Sequence, residues 1–386
     1  MMERKYDIPL SVPDLRGREK EYLLSCVDDN WVSTAGPFVD EIEARLPALA
    51  GCERAVATSS GTAALHLALL ALGVKAGDTV IVPDWTFGAT ANAVYYTGAR
   101  PLLVDVSADS WTLDPGLVNE LLAEQEFAAV IAVDALGHPA DMDPISAACR
   151  AHGVPLVEDA AGAIGARYRG HSAGGLGDIG VFSFNGNKTV TAGGGGAALT
   201  SDSQLAETMR MLSVHRLTDA GRTPTEFYRY AVVGFNYRMT NINAAVGLAQ
   251  LERLDEMLAR KRSIAAAYDR AFAARTDLVP MPRAAWADSS CWMYSVSCGC
   301  ARDAADLIRY LESRRIQARV FWQALSSQPA YRDAPRRLTG VSRLIGERVV
   351  ALPCSTGLTP AQQDRVIDAV AAWQGSAAVE RAWMSC

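Results

Sequence analysis

Along its first two-thirds the chain alternates short apolar runs with longer stretches in which apolar positions recur every three or four residues. That alternation predicts strands buried on both faces and covered by helices, the pattern of a mostly parallel sheet in an α/β fold. Seven strands are predicted, at 55–59, 79–82, 101–104, 129–133, 155–158, 179–184 and 196–200, with helical spacing at 62–72 and 88–97. The last two strands are joined through a glycine-rich turn at 193–196, which leaves no room for a parallel crossover and predicts an antiparallel pair. After Thr240 the period changes: Ile242, Ala245, Val246, Ala249, Leu251, Leu254 and Leu258 recur at helical spacing and run on towards Phe272. One long helix is predicted there, leaving a large domain of residues 1–250 for a smaller α+β domain of residues 251–386. The smaller unit holds a predicted strand at 293–297, a helix at 304–314 and a strand at 316–321. Its last helix opens at Thr359-Pro360-Ala361-Gln362, where threonine caps, proline takes the first helical position and glutamine closes a capping box. The tail at 375–386 has no such pattern and is expected to fray.

Length and composition agree with this division. A chain of 386 residues is long enough for one large domain and a companion, and 49% hydrophobic with 21% charged residues is a soluble balance. A net charge of -6 gives no overall positive field for nucleic acid or an anionic membrane. The first ten residues lack an apolar core of the signal-peptide kind, and the apolar run at 128–133 stops at Asp134, so a cytoplasmic protein is expected. Eight cysteines show no C-x-x-C pair, and the histidines at 66, 138, 152, 171 and 215 are scattered, so reduced thiols and no metal site are expected.

The candidate chemistry begins with Lys188. Lysine occurs five times, and Lys188 is the only one between Lys75 and Lys261, just past the apolar strand that ends in Phe182-Ser183-Phe184. Open α/β sheets place ligands at the ends of their strands, where a partly desolvated amine has a lowered pKa and forms Schiff bases. Asp159 closes the strand before it; a carboxylate so placed either caps the next turn or keeps a cofactor pyridine nitrogen protonated. Thr58-Ser59-Ser60-Gly61-Thr62 joins a strand to a helix, a setting in which backbone N–H groups bind phosphate, and the Ser183 hydroxyl is placed to add to it. Trp85 and Phe87 follow another strand end and are either core aromatics or a surface for a flat ring. The four glycines at 193–196 are no Walker loop, because Lys188 precedes them; they read as a tight turn with close backbone approach.

Together these segments resemble the DegT/DnrJ/EryC1/StrS sugar aminotransferases, of the aspartate-aminotransferase fold (type I PLP enzymes). The resemblance rests on five ordered blocks and spans nearly the whole chain: Ser59-Ser60-Gly61-Thr62-Ala63-Ala64-Leu65, Pro83-Asp84-Trp85-Thr86-Phe87-Gly88-Ala89-Thr90, Glu158-Asp159-Ala160-Ala161, Gly177 through Lys188, and Gly234-Phe235-Asn236-Tyr237-Arg238-Met239-Thr240-Asn241. It implies a seven-stranded, mostly parallel sheet with pyridoxal 5'-phosphate (PLP) as cofactor, Lys188 as its Schiff-base lysine and Asp159 as partner of its ring nitrogen. It further implies Gly61, Thr62 and Ser183 at the phosphate and Phe87 against the ring. Asn236 is implied to reach the phosphate of a neighbouring subunit, making the active unit a homodimer. Arg238, Arg319 and Trp322 are candidates for substrate contact.

The Gly186-Asn187-Lys188-Thr189 run and residues 236–249 are most similar to members that aminate C4 of 4-keto-6-deoxy sugar nucleotides, perosamine synthases among them. The implied reaction takes the amino group of L-glutamate to such a nucleotide-linked keto sugar. A 3-keto sugar nucleotide, a cyclitol ketone, and a non-catalytic PLP-binding regulator are the alternatives; family members that are dehydratases carry histidine where this chain has Lys188. Four positions depart from the family's pattern. Gly162 stands where a polar side chain usually faces the PLP hydroxyl, Gly194 replaces a common glutamate, and Asp134 and Leu325 replace histidines of perosamine synthases.

Overall fold

The computed structural model describes residues 5–214, 232–376, 378 and 379, so that His215 and Cys386 lie outside the described residues. All seven predicted strands form: β1 (Arg54–Thr58), β2 (Thr79–Pro83), β3 (Arg100–Val104), β4 (Ala129–Val133), β5 (Leu156–Asp159), β6 (Ile179–Ser183) and β7 (Gly196–Thr200). Their near-continuous burial explains the unbroken apolar runs, since helices cover both faces of the sheet. The spatial order is β1-β7-β6-β5-β4-β2-β3, and an eighth short strand from far along the chain, Arg336–Arg337, pairs in parallel with β3. Strands β2 to β6 run parallel, while β7 is antiparallel to both β1 and β6, as the glycine-rich turn requires.

The long helix predicted over 242–272 is two helices, Asn241–Leu251 and Leu254–Phe272. Arg253 sits at φ -111°, ψ 12°, off the helical ladder, and its guanidinium donates to the Asp14 carbonyl at 3.2 Å while pairing with Glu256 at 3.0 Å. The apolar period crosses this break because Leu251, Leu254 and Leu258 are buried on either side of it. Beyond lies a four-stranded antiparallel sheet in the order Leu278–Pro280, Tyr294–Cys298, Val349–Leu352, Arg319–Val320. The strand predicted at 316–321 shrinks to Arg319–Val320, because Ile316 pairs with Ile8 of the N-terminal segment instead. Helices Ala301–Glu312 and Pro360–Ala372 flank the sheet, the latter with the predicted capping box. The start of the tail is pinned: the backbone N–H groups of Gly375, Ser376 and Val379 donate to Asp277, Asp303 and Thr276. Among the described residues no helix is long and apolar enough to cross a membrane.

Candidate active site

Parallel strands that start in register end in register, so their last residues meet on one rim. Asp159, the last residue of β5, pairs with Val133 of β4 and Val181 of β6, and Ser183 ends β6. These ends, the turn carrying Lys188 and the edge of the second sheet enclose a cavity of about 600 Å³. The cavity is lined by Gly61, Thr62, Phe87, Asp159, Ser183, Lys188, Arg319 and Trp322, so eight of the ten sequence-derived candidates share one site.

One end of the cavity is framed by a helix N-terminus. The helix Gly61–Ala71 begins there, capped by Ser60, whose hydroxyl accepts from Ala63 N–H at 3.1 Å. The backbone is packed closely around it. A Cβ on Gly61 would lie 2.9 Å from that of Ser183, and one on Gly196 would lie 2.5 Å from the Gly61 nitrogen. The glycine turn is held by φ values of +75° at Gly193 and +138° at Gly195, which glycine adopts without strain. At Gly194 a Cβ would meet only the Ser59 carbonyl, at 4.0 Å, so the missing glutamate leaves open space.

In the middle stand Asp159 and Lys188. Asp159 is buried, accepting from Thr90 Oγ1 at 2.8 Å and from Ala161 N–H at 3.2 Å. Burial raises its pKa, an effect opposed by Thr90 and by the positive charge of Lys188. Lys188 is half-buried, and desolvation lowers its pKa to about 7 against the opposing pull of Asp159. Its Nζ lies 3.5 Å from the centroid of the Trp292 ring. Behind Asp159, burial and the neighbouring Glu158 push the pKa of Asp134, in the cavity wall, well above the ordinary carboxylate range. Glu158 accepts instead from Gly174 and Leu176 N–H at 2.7 and 2.8 Å.

The mouth is aromatic and basic. Phe87 is 62% exposed at the start of the helix Gly88–Tyr96, and Trp322 packs between Trp85, at 5.2 Å, and Phe321, at 5.1 Å, with exposed Arg319 beside them. Asn236 and Arg238 are not part of this chain's own cavity lining. Asn236 is exposed, and Arg238 lies beside Thr58 with Asp40 at 3.8 Å and its buried Nε unpaired. Leu325, one of the departures, is buried in the core under the sheet.

PLP fits what is present. Its phosphate suits the N-terminus of the Gly61–Ala71 helix beside Ser183, where Gly61 and Gly196 allow close backbone approach. A ring nitrogen bearing a proton gives buried Asp159 the cation that its raised pKa calls for. Two residues that matter were missed in the sequence. Thr90 closes the segment Pro83 to Thr90, four residues after Thr86, whose hydroxyl bonds it at 3.0 Å; that helical spacing was the available signal. Trp292 has no local signal, since only the fold brings it to Lys188.

The DegT/DnrJ/EryC1/StrS aminotransferase family profile matches residues 13–371. A GDP-perosamine synthase of Caulobacter vibrioides is 40% identical over 368 residues, covering 94% of this chain and 97% of that protein. Among solved structures, DesV of S. venezuelae, in complex with a ketimine intermediate, is 32% identical with a TM-score of 0.86, covering 98% of this chain and 99% of that one. The PLP form of Spr1654 from Streptococcus pneumoniae is 27% identical with a TM-score of 0.86, covering 94% and 97%.

Proposed function

The chain belongs to the DegT/DnrJ/EryC1/StrS aminotransferase family and is a PLP-dependent sugar aminotransferase, and from that premise we propose that it moves the amino group of L-glutamate to C4 of a nucleotide-linked 4-keto-6-deoxy sugar. The observation that carries the substrate is the whole-length likeness to a GDP-perosamine synthase. The site adds support: Arg319 and the ring of Trp322 stand at the mouth, where a nucleotide diphosphate and a sugar or base need a cation and a flat apolar face. Glutamate becomes 2-oxoglutarate as the ketone becomes an amine, so no outside oxidant is required.

When bound, PLP supplies an electron sink that makes the α-hydrogen of an amino acid acidic. The protein's part is to position and to move protons. Lys188 Nζ, with a pKa near neutrality, takes the proton from the α-carbon of glutamate and later delivers one to the sugar carbon that receives the nitrogen. Asp159, fixed by Thr90 and Ala161, holds a proton on the ring nitrogen through both halves of the reaction. The Gly61–Ala71 helix N-terminus with Ser183 anchors the phosphate. Exposed Asn236, outside the cavity of its own chain, reaches the phosphate site of a second copy in a homodimer.

The test loads the protein with the amino form of the cofactor and offers GDP- and UDP-linked 4-keto-6-deoxy sugars, 3-keto sugar nucleotides and cyclitol ketones, following the return of the aldehyde form by absorbance. The 4-keto nucleotides are expected to react. Return with only 3-keto sugars or cyclitols contradicts the C4 reading, and no return with any ketone favours a cofactor-binding regulator.

A further inference from the structure

Trp292 reaches the active site from the segment just before Tyr294–Cys298, an inner strand of the second sheet, and that segment is held at several points. Ser289 and Ser290 donate to the carbonyls of Gly137 and Gly162 at 2.8 and 3.0 Å. Cys291 takes φ +53°, a left-handed conformation that side chains disfavour. The buried Lys261 ammonium donates to the Trp292 carbonyl at 2.9 Å. The indole is only 3% exposed, and its Nε1–H donates at 2.8 Å to the carbonyl of Asn187, the residue before Lys188. The ring face then lies 3.5 Å from Lys188 Nζ. The same ring fills the space above Gly162: a Cβ there would come within 2.2 Å of Cε3 and 2.8 Å of Cζ3. The missing side chain at 162 is therefore tied to a tryptophan more than a hundred residues away in sequence.

We propose that Trp292 is the positioning residue of Lys188, its indole N–H fixing the turn that carries the lysine and its ring face holding the amine, and that residue 162 is glycine to admit this ring. The proposal rests on Lys188 being the cofactor-bearing lysine. A ring face suits this duty. It attracts a protonated amine, keeps water from it, and offers no strong hydrogen-bond acceptor to trap the neutral amine, which must stay free to move. The other charged or titratable groups lining this cavity are Asp159 from β5, Asp134 after β4, and Arg319 at the rim.

The test is competitive acylation of the cofactor-free, full-length chain across a pH series, with the peptide containing Lys188 quantified against those containing Lys20 and Lys75. In the wild type Lys188 titrates near 7. In Trp292→Ala, water replaces the ring and the pKa rises by about one unit or more towards the ordinary lysine value, because relief of desolvation outweighs the lost attraction to the ring. Trp292→Phe keeps a ring face but loses the N–H to the Asn187 carbonyl, and its shift falls between wild type and Trp292→Ala. Gly162→Ala displaces the ring without touching the lysine and moves the pKa in the same direction as Trp292→Ala; combined with Trp292→Ala it adds nothing further. An unmoved Lys188 in Trp292→Ala overturns the proposal, as does an equal shift in Trp322→Ala, whose ring lines the same cavity without holding the amine. If Trp292→Ala does not fold, Gly162→Ala decides by the same criterion. A wild-type Lys188 that titrates with the reference lysines overturns the proposal and the assignment of Lys188 together, whereas a wild-type value near 7 that no variant moves sinks the positioning role alone.

Discussion

Lys188→Ala is expected to lower kcat by about 10³-fold or more, towards the upper part of the range that a positioned acid–base group supplies. The size follows from the double use of one amine, which holds the cofactor and carries protons in both halves of the reaction. Folding should not suffer. Lys188 has its pKa depressed from 10.5 to about 7 in the folded protein. Between those values the unfolded chain binds the extra proton, so the cofactor-free wild type gains stability as pH rises through that window. Lys188→Ala should lose that part of the slope and be no less stable at neutral pH, as denaturant titrations at two pH values can establish. The same variant probes the second copy. Refolded together with Asn236→Ala chains, Lys188→Ala chains should regain activity, because one site of each mixed dimer then contains both native residues. Mixed dimers without any gain would place Asn236 outside the neighbouring site, and a Lys188→Ala protein with near-normal kcat would remove the lysine from the mechanism.

Asp159→Asn is expected to keep the cofactor and lose about 10²- to 10³-fold in kcat, the scale of removing one preorganised electrostatic contact. The amide has the shape of the carboxylate, so the contacts with Thr90 and Ala161 can be kept, and the buried negative charge is gone. What it cannot do is stabilise a positive ring nitrogen. KM for glutamate should change little, because the loss falls on the transition state rather than on binding. Cofactor absorbance and steady-state rates measured on one preparation separate the two effects. Near-normal kcat with full occupancy would take Asp159 out of the chemistry.

How much of this was legible in the sequence follows from the range of the interactions. Strands buried on both faces write themselves as apolar runs, and all seven were placed to within a residue or so. The eighth strand, Arg336–Arg337, is two polar residues and carries no such signature. The helix break at Glu252 and Arg253 was hidden because apolar spacing continues across it, and the Arg253 guanidinium there bonds Asp14, far away in sequence. The site residues from Gly61 to Lys188 were readable because each follows a strand of one sheet, and the parallel arrangement brings strand ends together. Trp292 lies just before a strand of another sheet, so its partnership with Lys188 and Gly162 exists only in the fold. Gly162 could be read as a departure, but the indole that explains it could not. Arg319 and Trp322 were candidates for the charge and flat ring that a substrate rim needs and do line the cavity, while Asn236 and Arg238 have no part in the lining of their own chain.

The measurement that bears most directly on the account is reduction of the purified, cofactor-loaded protein with borohydride, followed by peptide mapping of the pyridoxyl group. With an active site built around one desolvated amine between Asp159 and the phosphate-binding helix, the label is expected on Lys188 alone, at about one per chain. A label on Lys5, Lys20, Lys75 or Lys261, or a yellow protein that takes up no label, would contradict it.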